Sequence, residues 1–118
     1  MRVCFRSSVQ PRLIDEYRRR HAAVWPEMLR ALKDAGWNNY SLFLGGDGLL
    51  VGYLECDDFD AARARMALTE VNSRWQAGMA SLFDSTDNPD QAPDEGFQVL
   101  EEVFNLENQL AAAESTSR

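Results

Sequence analysis

Gly45-Gly46-Asp47-Gly48 lies between two stretches of strand-like sequence, and this leaves few ways to fold the middle of the chain. Glycine and aspartate accept the backbone conformations of a tight reversal. Asn39 to Leu44 and Leu49 to Cys56 are therefore predicted to pair as a hairpin. In the first of these strands Tyr40, Leu42 and Leu44 share one face, and Ser41 and Phe43 the other. The turn is not a phosphate loop, because it lacks the following helix and lysine that such a loop needs.

The flanking segments extend this hairpin into a recognisable order. Arg2 to Val9 alternates, with Val3, Phe5 and Val9 on one side and Arg6 and Ser8 on the other, the pattern of a half-buried strand. Pro11 opens a helix in which Leu13, Ile14, Tyr17 and His21 recur at helical spacing. Pro26 is expected to kink or restart it, and the second segment runs through Met28, Leu29 and Leu32 to Gly36, a C′ residue. After the hairpin, Asp57 to Met66 reads as a helix capped by Asp57 or Asp58. Thr69 to Phe83 continues as a second helical segment with Val71, Trp75, Met79 and Leu82 on one side. Asp84 to Gly96, with Asn88-Pro89-Asp90 and Ala92-Pro93-Asp94, reads as a loop placed to fold over a pocket.

Phe97 to Leu106 is predicted as a final strand, which completes the order βαββαβ. The expected class is α+β with a ferredoxin-like arrangement: one antiparallel sheet with helices on one face. The other face needs cover, and a second copy packed sheet to sheet is the expected source, giving a homodimer. The domain is expected to span residues 1–106. Residues 107–118 are a polar, Ala/Ser-rich tail, expected to be loosely docked or frayed.

Composition narrows the function. At 118 residues and 45% hydrophobic content, one globular domain is expected. The net charge of −7, from 12 basic and 19 acidic residues, argues against a nucleic-acid partner. Arg18, Arg19 and Arg20 do not reverse this, because Asp15 and Glu16 stand four residues ahead of Arg19 and Arg20 and make a solvated, paired face. No window approaches a membrane span and Met1-Arg2-Val3-Cys4 lacks a leader's apolar core, so a cytoplasmic protein is expected. Cys4 and Cys56 have no metal or redox spacing and read as reduced, buried thiols.

His21 is the sole imidazole, and Tyr17 precedes it by four residues on the same helix face. If that helix lies across the sheet, Tyr17, Tyr40 and His21 reach one pocket, with Trp75 as a flat apolar wall. Such a pocket suits a sugar, whose C–H groups stack on rings while its hydroxyls bond to polar tips. Each residue also has a plain structural reading: His21 as a hydrogen-bonded partial-core residue, Tyr17 and Tyr40 as amphipathic core, and Trp75 as core. One histidine and two distant cysteines supply no metal triad, and no serine lies in a nucleophile elbow. Acid–base chemistry by His21 is the leading catalytic option.

Tyr-Arg-Arg-Arg-His-Ala-Ala-Val-Trp-Pro-Glu-Met at 17–28, Asn39-Tyr40-Ser41-Leu42-Phe43-Leu44, Arg74-Trp75 and Asn88-Pro89-Asp90 together resemble the L-rhamnose mutarotase family. The likeness runs from the first strand to about Leu106. It implies a dimeric α+β barrel that interconverts the α and β anomers of L-rhamnose without a cofactor. It implies His21 as proton donor, with Tyr17, Tyr40 and Trp75 at sugar-binding positions. Gln76 falls where some members carry a second tryptophan, so a hydrogen-bonding amide replaces a stacking surface. The competing expectations are a mutarotase of another 6-deoxyhexose such as L-fucose, a cofactor-free monooxygenase or haem-degrading enzyme on the same fold, and a non-catalytic sugar-binding domain.

Overall fold

In the computed structural model, which describes residues 1–83 and 97–116, the hairpin forms between β2 (Asn38–Leu44) and β3 (Leu49–Glu55). β1 (Arg2–Ser8) pairs antiparallel with β3 on one side, and on the other with β4 (Gln98–Leu100). The order across the sheet is β2-β3-β1-β4, the antiparallel arrangement of a ferredoxin-like α+β fold. Phe5 faces Gly52 across the β1–β3 ladder. A Cβ at Gly52 would stand 2.2 Å from the Phe5 ring, so this glycine makes room for the aromatic at the centre of the sheet.

The helices cover one face. A 3-10 turn (Pro11–Leu13) leads into α1 (Ile14–His21), and the chain then breaks and restarts as α2 (Pro26–Asp34), with Pro26 in its first turn. Gly36 ends α2 at φ +97°, a conformation that side chains bearing a Cβ avoid. In α3 (Phe59–Ala67) the Asp58 carboxylate accepts from the Ala61 N–H at 3.1 Å. In α4 (Glu70–Met79) the Thr69 hydroxyl accepts from the Asn72 N–H at 3.3 Å. Both caps satisfy donors that the first helical turn leaves open. A short 3-10 turn (Ala80–Leu82) follows.

Two apolar clusters fill the space between sheet and helices. One gathers Val3, Phe5, Met28, Trp37, Leu54 and Met66 with their neighbours, and the other gathers Val9, Ile14, Tyr17, Leu50, Met79 and Leu82. The arginines of α1 are paired on its outer surface. Glu16 binds both Arg19 and Arg20, but Asp15 pairs with Arg18 at 3.0 Å, one step nearer than the spacing to Arg19.

The last third departs from expectation. Only Gln98–Leu100 of the anticipated final strand is paired, against Cys4–Arg6 of β1, and residues 101–105 continue with no strand partner. Within the segment expected to be a loosely docked or frayed tail, Leu106–Thr116 forms α5. Its Ala, Leu, Glu and Gln residues are strong helix formers, and Asn105 Oδ1 accepts from the Asn108 N–H at 3.0 Å at its start. The segment is largely exposed, including Val103 and Phe104. The radius of gyration is 16.4 Å, above the roughly 13 Å of a compact domain of about 100 residues. The loop expected over the pocket, residues 84–96, lies outside the described residues.

Candidate active site

Between α1, α2, α4 and the β2 end of the sheet lies a cavity of about 310 Å³. Its polar groups come from three elements: His21 at the end of α1, Tyr40 on β2, and Asn72 and Gln76 on α4. Trp75, Trp37 and Phe97 add aromatic walls, and Met28, Leu32, Leu42 and Met66 are among its aliphatic lining. A mostly apolar cavity with a few convergent polar groups suits a small ligand with one apolar side.

His21 is held by its own helix. Its Nδ1 lies 3.1 Å from the carbonyl oxygen of Tyr17. A carbonyl only accepts, so Nδ1 carries a proton and donates, which leaves Nε2 as the proton-exchanging nitrogen of the neutral ring. The ring stacks on Tyr17 with centroids 4.1 Å apart and meets Trp75 edge-on at 5.4 Å. Burial among these rings lowers the imidazole's pKa below its ordinary 6.5, against a smaller opposing effect of the Tyr17 carbonyl. The neutral, proton-accepting form is therefore favoured near pH 7.

Of the five residues singled out from sequence, His21, Tyr40, Trp75 and Gln76 line this one cavity. Tyr17 stands behind the imidazole instead, buried in the second apolar cluster and absent from the cavity lining. Burial raises its phenol well above the usual value, so the hydroxyl stays protonated at neutral pH. Trp75 is braced from outside: Trp25 packs against it edge-on at 5.0 Å, and the Arg74 guanidinium lies over Trp25 while pairing with Glu27 at 3.2 Å.

Tyr40 is aimed by a bulge. Between Asn38 and Ser41 the β2–β3 register slips, and Asn39 takes φ +48°, which asparagine tolerates better than most residues. Asn39 Nδ2 donates to Glu55 at 2.9 Å and ties the bulge to β3.

Sequence reasoning missed Trp37, Phe97 and Asn72. Trp37 spends its indole N–H on the Ala62 carbonyl at 3.2 Å and serves as wall. Phe97 stacks on Phe5 at 3.9 Å, a long-range contact that no local pattern signals. Asn72 had a signal: it sits three residues before Trp75 and four before Gln76, on the helix face that carries both. Among the described residues no helix is long and apolar enough to cross a membrane, and none group into a three-ligand metal site.

The fold and cavity define a class: a ferredoxin-like α+β domain with a single, half-buried imidazole in an aromatic-walled pocket. Comparison with known proteins then gives the family. The model of the L-rhamnose mutarotase family matches residues 2–106. An L-rhamnose mutarotase from Pectobacterium carotovorum is 40% identical over 108 residues, covering 91% of this chain and 99% of that protein. One from Ligilactobacillus salivarius is 44% identical over 103 residues, covering 84% and 91%. The chain belongs to the L-rhamnose mutarotase family. Among solved structures, an L-rhamnose mutarotase from Formosa agariphila superposes with a TM-score of 0.73 at 24% identity, over 90% of this chain and 98% of that one. An antibiotic biosynthesis monooxygenase has a TM-score of 0.53 at 18% identity, covering 87% and 98%; at such identities these likenesses speak for the fold.

Proposed function

We propose that this protein is an L-rhamnose mutarotase in which His21 moves the proton and Tyr40, Trp75 and Gln76 hold the sugar. The observation that carries the reading is the imidazole whose Nδ1 is committed to a backbone carbonyl while its ring borders an aromatic-walled cavity. Ring opening takes a proton from the anomeric hydroxyl and delivers one to the ring oxygen. Both oxygens are bonded to C1, so one nitrogen beside C1 serves both transfers. Nε2 accepts the anomeric proton, the C1–ring-oxygen bond breaks as C1 becomes an aldehyde, and the imidazolium returns the proton to the departing oxygen. Rotation about C1–C2 and the reverse steps give the other anomer. A positioned acid–base group gives roughly 10²–10⁴-fold, enough to outpace a reaction that also runs unaided. No cofactor takes part.

Tyr17 has the role of a support: its ring fixes the imidazole plane and its carbonyl fixes the tautomer. The apolar side of the cavity suits the methyl group of a 6-deoxy sugar, which L-fucose shares. Saturation-transfer NMR on L-rhamnose and L-fucose, with and without protein, tests the assignment. Faster exchange of L-rhamnose is expected. Binding with exchange at the buffer rate would make the protein a sugar-binding domain, and faster exchange of L-fucose alone would move the substrate.

The working form is a homodimer in the cytoplasm. What supports the dimer is the helix-free face of the sheet, where Phe43, Leu49 and Leu100 are exposed, together with the apolar residues Val103, Phe104, Leu106 and Leu110. Two free cysteines agree with a reducing compartment. Light scattering at micromolar concentration tests the dimer; a 13.4 kDa species alone would count against it.

A further inference from the structure

Asn72 is the one buried polar side chain among the described residues, only 5% exposed. Asparagine is a poor helix former, and burying an amide is costly without a partner. Its place in α4 therefore calls for a reason. Gln76 follows four residues later on the same face, and its Nε2 donates to Asn72 Oδ1 at 3.1 Å. Both line the cavity, where Val24, Met28, Leu32 and Met66 offer a sugar hydroxyl nothing to bond to.

The bond to Asn72 uses one of Gln76's two N–H groups and fixes the plane of its amide. When the N–H turned away from the amide's own oxygen makes that bond, the second N–H and the carbonyl oxygen share one edge of that plane. An amide edge with one donor and one acceptor matches two neighbouring hydroxyls, each of which can give and take a hydrogen bond. His21 approaches the cavity from a different helix and serves the anomeric end. We propose that Asn72 is a positioning residue that orients Gln76 to bind a vicinal diol of the sugar away from the anomeric carbon, making this pair a specificity determinant. The proposal rests on the mutarotase reading and adds to it which hydroxyls are recognised. The hydroxyl at C3 belongs to both neighbouring pairs, C2–C3 and C3–C4, so it is the one the pair must engage.

The test compares L-rhamnose with its 3-deoxy analogue in wild type, Gln76→Met, Asn72→Ala and the double variant, by NMR exchange over a range of sugar concentrations. Gln76→Met is expected to raise KM for L-rhamnose roughly 3- to 10-fold, the scale of one or two hydrogen bonds, with kcat within about twofold. It should raise KM for the 3-deoxy sugar less than for L-rhamnose, because only one of the two hydroxyls is left to lose. Asn72→Ala should raise KM for L-rhamnose in the wild-type background and add nothing in the Gln76→Met background, since it acts through Gln76. A rise in KM shared equally by both sugars overturns the proposal. So does an unchanged KM in Gln76→Met, or a full Asn72 effect in the double variant. If Asn72→Ala fails to fold, Gln76→Met with the two sugars still decides, because residue 76 is only half-buried. If wild type accelerates exchange of neither sugar, the mutarotase reading fails by itself. Calorimetric affinities of wild type and Gln76→Met for the two sugars then decide the amide pair by the same criterion.

Discussion

On the helix-covered face of the sheet Phe5 and Leu54 are completely buried, whereas on the opposite face Phe43 is 62% and Leu100 40% exposed. The two faces alternate along the same strands: Phe43 lies between Leu42, which borders the cavity, and Leu44, which packs into the core. The cavity and core share one side, and the apolar surface proposed for the dimer is the other. Because strand side chains point alternately to opposite faces, a change at one position can reach assembly without touching the site, and a change one residue away can do the reverse.

The strongest way to break this separation is at the imidazole. His21→Asn should lower anomer exchange by roughly 10²–10⁴-fold while circular dichroism and size-exclusion behaviour stay those of the parent. Near-normal exchange in a folded variant would remove histidine from the mechanism. Next in size is the buried face: Leu54→Ala should cost about 2–5 kcal/mol in denaturant unfolding, with Phe43→Ser, on the open face, serving as its control. Phe43→Ser should weaken the dimer in sedimentation at low micromolar concentration and leave kcat per chain unchanged. A parallel loss of exchange would mean the site is completed by the second copy.

Just below pH 6.5, acid should act on the imidazole of the site. His21 takes up a proton less readily in the folded protein than at its ordinary pKa of 6.5. Its contribution to stability is therefore complete above that pH and is lost as pH falls from 6.5 to its lower native value. The difference in melting temperature between wild type and His21→Asn should shift across this window in that direction. Exchange should fall on the acid side with a midpoint below 6.5; a midpoint above it would reverse the sign argued from burial. The smallest effect is expected at Tyr40→Phe, which should weaken sugar binding by about 0.5–1.5 kcal/mol, read by calorimetry. No change would leave Tyr40 as wall.

How much of this was legible depended on whether the signal was local. The hairpin at 45–48, the break at Pro26, the stop at Gly36 and a cap at Asp57 or Asp58 are each written in a few neighbouring residues, and the structure has the hairpin, a restart at Pro26, the stop and the cap at Asp58. The final strand was overdrawn because the apolar character of Val99, Leu100, Val103 and Phe104 reads as burial, whereas all four are exposed and pairing stops at Leu100 although Val3 and Arg2 of β1 come next in register. Within the segment read as a polar, Ala/Ser-rich tail, the helix follows from residues such as Ala111-Ala112-Ala113, since alanine is the strongest helix former. At the site, the spacing of Tyr17 and His21 correctly put them on one face, but spacing does not say which of two stacked rings is nearer the cavity. Asn72 escaped notice because a polar residue on a helix reads as solvent-facing until the fold buries it.

The carbonyl of Tyr17 that holds His21 belongs to the backbone, and this has a bearing on how the site drifts over evolutionary time. A side-chain partner for the imidazole would be lost by a single substitution. A carbonyl four residues earlier survives every replacement at position 17 that keeps α1 helical, so the tautomer of His21 is inherited with the helix rather than with a sequence. A replacement at position 17 thereby alters the ring beneath the histidine, and with it the imidazole's plane and proton affinity, while the carbonyl goes on holding the same tautomer.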